Sequence, residues 1–245
     1  MYLAELNRRE IVIKQFFYKM KAYRGVYSSL MVIQLLAILF SLNGTGMGGG
    51  SSRTLTYEIH TYSNSMIIAF MMIWAFIISI IVTTKAYRYD DFTFVSNRFT
   101  SQISTILFLL FASMVGGITS FLADYLVKDI LFFISKSEYV FTDSTPSLFG
   151  VMGIILYLFL FCSFGYVCGM LVQINRIFII LIPTMLFGTS IISSYLLGEP
   201  VTLVEIGSTF LQESSFIFFF AKIVLTVVPL FSIVTFITNR LEVRT

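Results

Sequence analysis

Six long apolar runs divide the chain, at residues 26–42, 66–82, 103–122, 148–172, 177–197 and 216–238. A lipid core about 30 Å thick needs about 20 residues at helical rise, with roughly 17 as the lower end. Each run qualifies, the first two with help from flanking residues. The runs are continuous, whereas the strands of a membrane barrel alternate apolar and polar positions, so a β-barrel is excluded. The expected fold is an all-α integral membrane protein with six transmembrane helices.

The polar intervals predict the remaining elements. Residues 2–22 carry Leu3, Leu6, Ile13, Phe16, Phe17 and Met20 at helical spacing, with Arg8, Lys14 and Lys19 off that stripe and Arg9 interrupting it. This predicts an amphipathic helix lying at the membrane surface or buried against the bundle. The chain thus divides into an N-terminal helix at 1–24 and a single transmembrane domain at 25–245. The Gly-rich stretch 43–52 reads as a flexible linker; it contains an Asn43-Gly44-Thr45 sequon and lacks the Gly-Lys-Ser/Thr ending of a phosphate loop. Residues 123–147 form a long connection of mixed polarity, in which Leu131, Phe132 and Phe133 rest on the membrane or bundle. Asp124 and Lys128, spaced i, i+4, are expected to pair. Pro200–Gln212 is too short to cross beside the last run; it predicts a re-entrant helical stretch, with Glu205 and Glu213 facing water or a cavity. Lys222, in the last run, is expected to snorkel outward or pair with a carboxylate such as Glu213.

Composition agrees: 57% of residues are apolar and 12% charged, with a net charge of +3. The distribution of that charge carries more information than its sum. Arg8, Arg9, Lys14, Lys19, Lys21 and Arg24 precede the first run; Lys85, Arg88 and Arg98 follow the second; Arg176 follows the fourth; Arg240 and Arg244 follow the last. The alternate connections hold Arg53, Lys128 and Lys136 against eight carboxylates, from Glu58 to Glu213. The positive-inside rule then puts both termini in the cytoplasm of a multi-pass cell-membrane protein. The basic N-terminus reads as a lipid-headgroup contact rather than a nucleic-acid patch, and no signal peptide is recognised there.

Small residues predict close helix packing: Ala112, Gly116 and Ser120 in the third run, Gly165 and Gly169 in the fourth. Pro183 and Pro229 lie inside the fifth and sixth runs. Cys162 and Cys168 share one helix and stand about 9 Å apart along it, too far for a disulfide. With His60 as the single histidine, neither a zinc site nor serine-protease chemistry can be assembled in the membrane. No paired carboxylates lie inside the spans, which counts against proton-driven transport.

The most informative polar segment is Lys85–Ser101, which mixes Tyr87, Tyr89, Phe92, Phe94 and Phe99 with charges of both signs. Aromatics and Arg are enriched where one protein seats in a partner's pocket; an amphipathic loop on the membrane surface is the alternative. With the N-terminal amphipathic helix, six spans, a loop ending Phe-Val-Ser-Asn-Arg-Phe-Thr-Ser and a re-entrant stretch before the last span, the chain resembles the ABC-2-type permeases of bacterial ABC transporters. The resemblance implies a permease dimer, of identical or related chains, bound to ABC-type ATPase subunits that hold ATP and magnesium; no cofactor is assigned to this chain. It also implies ATPase contact by Asp90, Asp91, Phe92, Phe94, Asn97 and Arg98, with a second contact at Gln173, Asn175 and Arg176. No Walker-type loop occurs in the sequence, so no ATPase activity of its own is expected. The expected substrate is an exported amphiphile, such as a peptide, antibiotic or lipid-like molecule. A substrate-binding or sensor subunit without transport activity is the rival reading.

Overall fold

The computed structural model describes residues 8–42, 46–51, 56–84, 86–87, 98–135, 139–141, 148–185 and 215–240. Six labelled helices account for most of them: α1 (Arg8–Ala22), α2 (Arg24–Ser41), α3 (Ser65–Val82), α4 (Arg98–Ser135), α5 (Leu148–Ile174) and α6 (Phe216–Arg240). Five of these, α2 to α6, are long and apolar enough to cross a membrane. Helices suit that setting because each satisfies its backbone hydrogen bonds within itself. The chain is a multi-pass membrane protein.

Helix α4 is the centre of the bundle: its apolar window is the most buried of the five, and that of α2 the least. Helices α1, α2, α3, α5 and α6 all contact it. Large side chains such as Met31, Leu35 and Leu39 of α2, or Ile217, Leu225 and Phe236 of α6, remain exposed to the surroundings of the bundle. That is the expected arrangement where lipid, rather than water, covers the outer faces.

Helices α3 and α5 approach one another closely. A Cβ added at Gly165 would overlap Ser79 Oγ and the Phe76 carbonyl oxygen; one at Gly169 would meet Thr83 Oγ1 and lie 3.2 Å from Ile80 Cα. Helix α4 uses small residues in the same way. Ala112 and Ser120 are buried, and a Cβ at Gly116 would stand 3.2 Å from Leu158 and from Trp74. A Cβ at Gly117 would approach the Ile155 backbone to 3.3 Å. Without a hydrophobic driving force between helices in lipid, such close contact of backbones is a main source of association. Polar bonds add to it: Trp74 Nε1 donates to Ser29 Oγ at 3.0 Å, and the Gln34 amide donates to the Thr119 carbonyl.

The structure departs from the sequence pattern in three places. Helix α4 does not stop near residue 122 but continues to Ser135, about 57 Å in all at 1.5 Å per residue. Charges at Asp124, Lys128 and Asp129 break the apolar run. The buried positions Ala123, Val127 and Leu131 nevertheless keep the helical period, so the predicted 123–147 connection begins as helix.

Second, the expected linker 43–52 contains a strand. Strand β1 (Gly46–Ser51) pairs antiparallel with β2 (Thr56–Tyr62), from Gly46 opposite Thr61 to Ser51 opposite Thr56. Strand β3 (Tyr139–Phe141) adds in parallel to β2, with His60 opposite Tyr139. Glycine disfavours strands, and β1 has no apolar alternation to read. The partner β2, rich in β-branched and aromatic residues, supplies the preference. The protein is therefore all-α in its spans, with a small three-stranded sheet at one end.

Third, five spans rather than six are visible among the described residues. Of the predicted run at 177–197, residue 177 is in a turn, residues 178–185 are helical, including Pro183, and residues 186–197 lie outside the described residues. The re-entrant stretch from Pro200, with Glu205 and Glu213, also lies outside them.

Candidate functional site

The end of the bundle opposite the sheet brings together α1, the last residues of α3, the first turns of α4 and the last turns of α5 and α6. Helix α1 lies along α4 rather than standing apart from the bundle. Phe16 meets Phe111 edge-on, with ring centroids 6.0 Å apart. Tyr23, at the α1–α2 junction, packs edge-on against Phe108 at 5.3 Å and Tyr87 at 4.5 Å. Its hydroxyl donates to the Tyr87 carbonyl at 3.1 Å. Ile13 and Phe17 stay exposed, so the stripe read from the sequence splits into a bundle-facing edge and an outward edge.

Lys19, expected off the stripe, is buried. Its ammonium donates to Thr105 Oγ1 at 2.6 Å and to the Ser101 carbonyl at 3.2 Å. An ammonium is disfavoured near the positive end of a helix and costly to bury without partners. The two oxygens on α4 offset both effects and tie α1 to α4. On the exposed side of α1, Glu10 pairs with Lys14 at 2.7 Å, and that lysine holds the Glu10 carboxyl below its ordinary pKa.

The neighbouring face of α4 holds a second buried polar group. Tyr166 of α5 donates its hydroxyl to Gln102 Oε1 at 2.8 Å. Gln102 Nε2 donates to Thr238 Oγ1 of α6 at 2.7 Å, and that hydroxyl donates to the Val234 carbonyl at 2.9 Å. All three side chains are buried. A single amide, by donating and accepting at once, joins three helices. Within lipid such bonds act as directional fasteners between surfaces that are otherwise free to slide.

Of the residues singled out for partner contact, Arg98 is the first residue of α4, and Asp90, Asp91, Phe92, Phe94 and Asn97 lie outside the described residues. Gln173 is half-buried at the end of α5; Asn175 and Arg176 are exposed just beyond it, where Asn175 Oδ1 accepts from the Ile177 amide at 3.1 Å. Lys222 is half-buried on α6. The structure thus brings α1, α5 and α6 around the first turns of α4, from Arg98 onward.

The opposite end of the bundle holds the expected pair of Asp124 and Lys128, at 2.9 Å. Asp124 is buried and also accepts from Tyr62 of β2 at 2.9 Å, while the Lys128 ammonium stands 6.0 Å from the Tyr62 ring centroid. This cluster seats the sheet on the extension of α4. Beside it a shallow apolar groove is lined by Leu122, Tyr125, Leu126, Asp129, Ile130 and Phe133.

Among the described residues no group of three or more His, Cys, Asp or Glu side chains is placed to hold a metal ion. Cys162 is buried; its thiol donates to the Ala75 carbonyl at 3.5 Å and lies 3.6 Å from Ser113 Oγ, a packing role. Sequence reasoning missed Lys19, Gln102, Tyr166 and Thr238. One signal for Gln102 was present: a long polar side chain next to the start of an apolar run. Comparison of the chain with protein-family models, curated proteins and solved structures found no match.

Proposed function

We propose that this chain is the membrane permease subunit of an ATP-driven transporter, exporting an amphiphilic substrate and energised by a separate ATPase. The observation that carries the reading is the grip on the first turns of α4. Residues that follow the expected partner loop Phe92–Arg98 are bonded to α1 through Lys19 and to α5 and α6 through Gln102. A push on that loop is therefore delivered to most of the bundle at once, as alternating access driven by a cytoplasmic partner demands. The basic residues flanking the same end favour a cytoplasmic placement. In this reading Asp90, Asp91, Phe92, Phe94, Asn97 and Arg98 meet the ATPase, and Gln173, Asn175 and Arg176 form a smaller contact.

The test is purification of the full chain from its native membrane in mild detergent. An ATPase is expected to copurify and to be lost on Arg98→Glu combined with Phe94→Ala. Retention of the ATPase by the double variant rejects the loop assignment, and absence of any ATPase from the wild-type preparation rejects the class.

One observation favours a second reading, a substrate-capturing or sensing subunit. The sheet of β1, β2 and β3, seated on α4 through Tyr62 and Asp124, gives the protein a folded element at the end away from the N-terminal basic cluster. Such a subunit holds its ligand unaided, so thermal stabilisation by a small amphiphile in the absence of any ATPase selects this reading over transport.

A further inference from the structure

Helix α6 carries Pro229 inside it. Proline has no amide hydrogen, so the Leu225 carbonyl one turn earlier lacks its usual helical donor and the helix is weakened there. The ten residues that follow the next position, 231–240, form an arm beyond this weak point. Against α5 the arm rests on aromatic contacts: Phe231 lies 5.6 Å from the Phe159 ring and 6.0 Å from the Tyr166 ring, with tilted planes. Such contacts tolerate sliding. The bond from Gln102 to Thr238 does not, because donor, acceptor and angle must all be met.

We propose that Gln102 is a positioning residue whose amide fastens the α6 arm to the first turns of α4, so that the arm moves with the start of α4 instead of hinging at Pro229. The amide is suited to this in a way a carboxylate or an apolar side chain is not. It accepts from Tyr166 and donates to Thr238, and Thr238 passes its own hydrogen to Val234. The chain of bonds therefore has one direction and ends on the backbone of the arm itself. Broken at either side of Gln102, it no longer ties the arm to α4 by a directional bond, and apolar packing such as that of Phe231 and the buried Val234 permits sliding. The role in transmitting a push rests on the transport reading; the fastening does not.

The test measures the distance between spin labels at Phe99 on α4 and Phe236 on α6, both exposed side chains, in the full chain in lipid nanodiscs. Cys162→Ala and Cys168→Ala remove the native thiols. The unsubstituted sequence at 102 and 238 is expected to give one narrow distribution. Thr238→Val keeps the shape of the side chain but cannot accept from the amide. It is expected to raise the detached population by about threefold, and at most by about twentyfold, the range for hydrogen bonds between helices in membranes. Gln102→Leu is expected to do the same, and Thr238→Ser, which keeps the hydroxyl, to restore the narrow distribution. If Gln102→Leu fails to fold, the Thr238 pair still decides. A narrow distribution in Thr238→Val, whatever its melting temperature, overturns the proposal, and so does equal broadening in Thr238→Ser. No ATPase is present in this measurement, so the transport reading can fail in the copurification while the distance result stands.

Discussion

Gly165 and Gly169 set how near α3 and α5 can come, and the groove they leave is filled by Ser79 and Thr83. A methyl group at Gly165 must displace the backbone carbonyl of Phe76, which cannot swing aside as a side chain can. Gly165→Ala is therefore expected to destabilise the bundle by about 1–3 kcal/mol, the range for overpacking. Gly153→Ala, where nothing lies within 4 Å of the added atom, is expected to leave stability unchanged. Thermal unfolding in detergent compares the two, and equal melting temperatures would refute the close contact. The residue type and spacing of these glycines were readable from the chain. Their partners were not, because Ser79 and Thr83 are unremarkable in a run of apolar residues until α3 is laid against α5. The same holds for Lys19: only the presence of α4 beside α1 turns a basic residue off the apolar stripe into a buried fastener.

At the scale of elements, α4 and the sheet depart furthest from what periodicity predicts. Charged residues after position 122 suggest the end of a span, yet the helix persists because Asp124 and Lys128 satisfy one another and Tyr62 satisfies the second carboxylate oxygen. The sheet in turn depends on that carboxylate. Asp124→Asn and Tyr62→Phe each weaken a bond in which one partner is charged, an effect of about 1.5–3 kcal/mol. Both are expected to speed amide hydrogen exchange in β2, residues 56–62, while leaving α5 protected. Unchanged exchange in β2 would show that the sheet is held by other contacts. Helix α1 illustrates the opposite case. Its amphipathic pattern was legible, and the pattern left open whether it faced the lipid surface or the bundle; contacts from Phe16, Lys19 and Tyr23 place it on α4.

At the scale of the whole molecule, the alternation of basic and acidic connections predicts which surfaces face the cytoplasm. In a protein freed of Cys162 and Cys168, single cysteines at Arg8 and Tyr89 are expected to react with a membrane-impermeant thiol reagent from the cytoplasmic face alone. A cysteine at Glu58 is expected to react from the other face. Labelling of Tyr89→Cys from the outer face would reverse the topology and, with it, the proposed partner loop. Spans and charge bias belong to short stretches of chain and respond to lipid and potential one segment at a time, so the amino-acid order alone determined the membrane character and the places of the five described spans, though not where α4 ends. Which faces meet is a matter between distant segments: Gln102 and Thr238 are 136 positions apart, Lys19 and Thr105 86 apart. No local pattern encodes such pairs, because a polar side chain in an apolar run is satisfied by whichever neighbour the assembled bundle provides. Only the folded arrangement decided that the start of α4 is where α1, α5 and α6 are tied together.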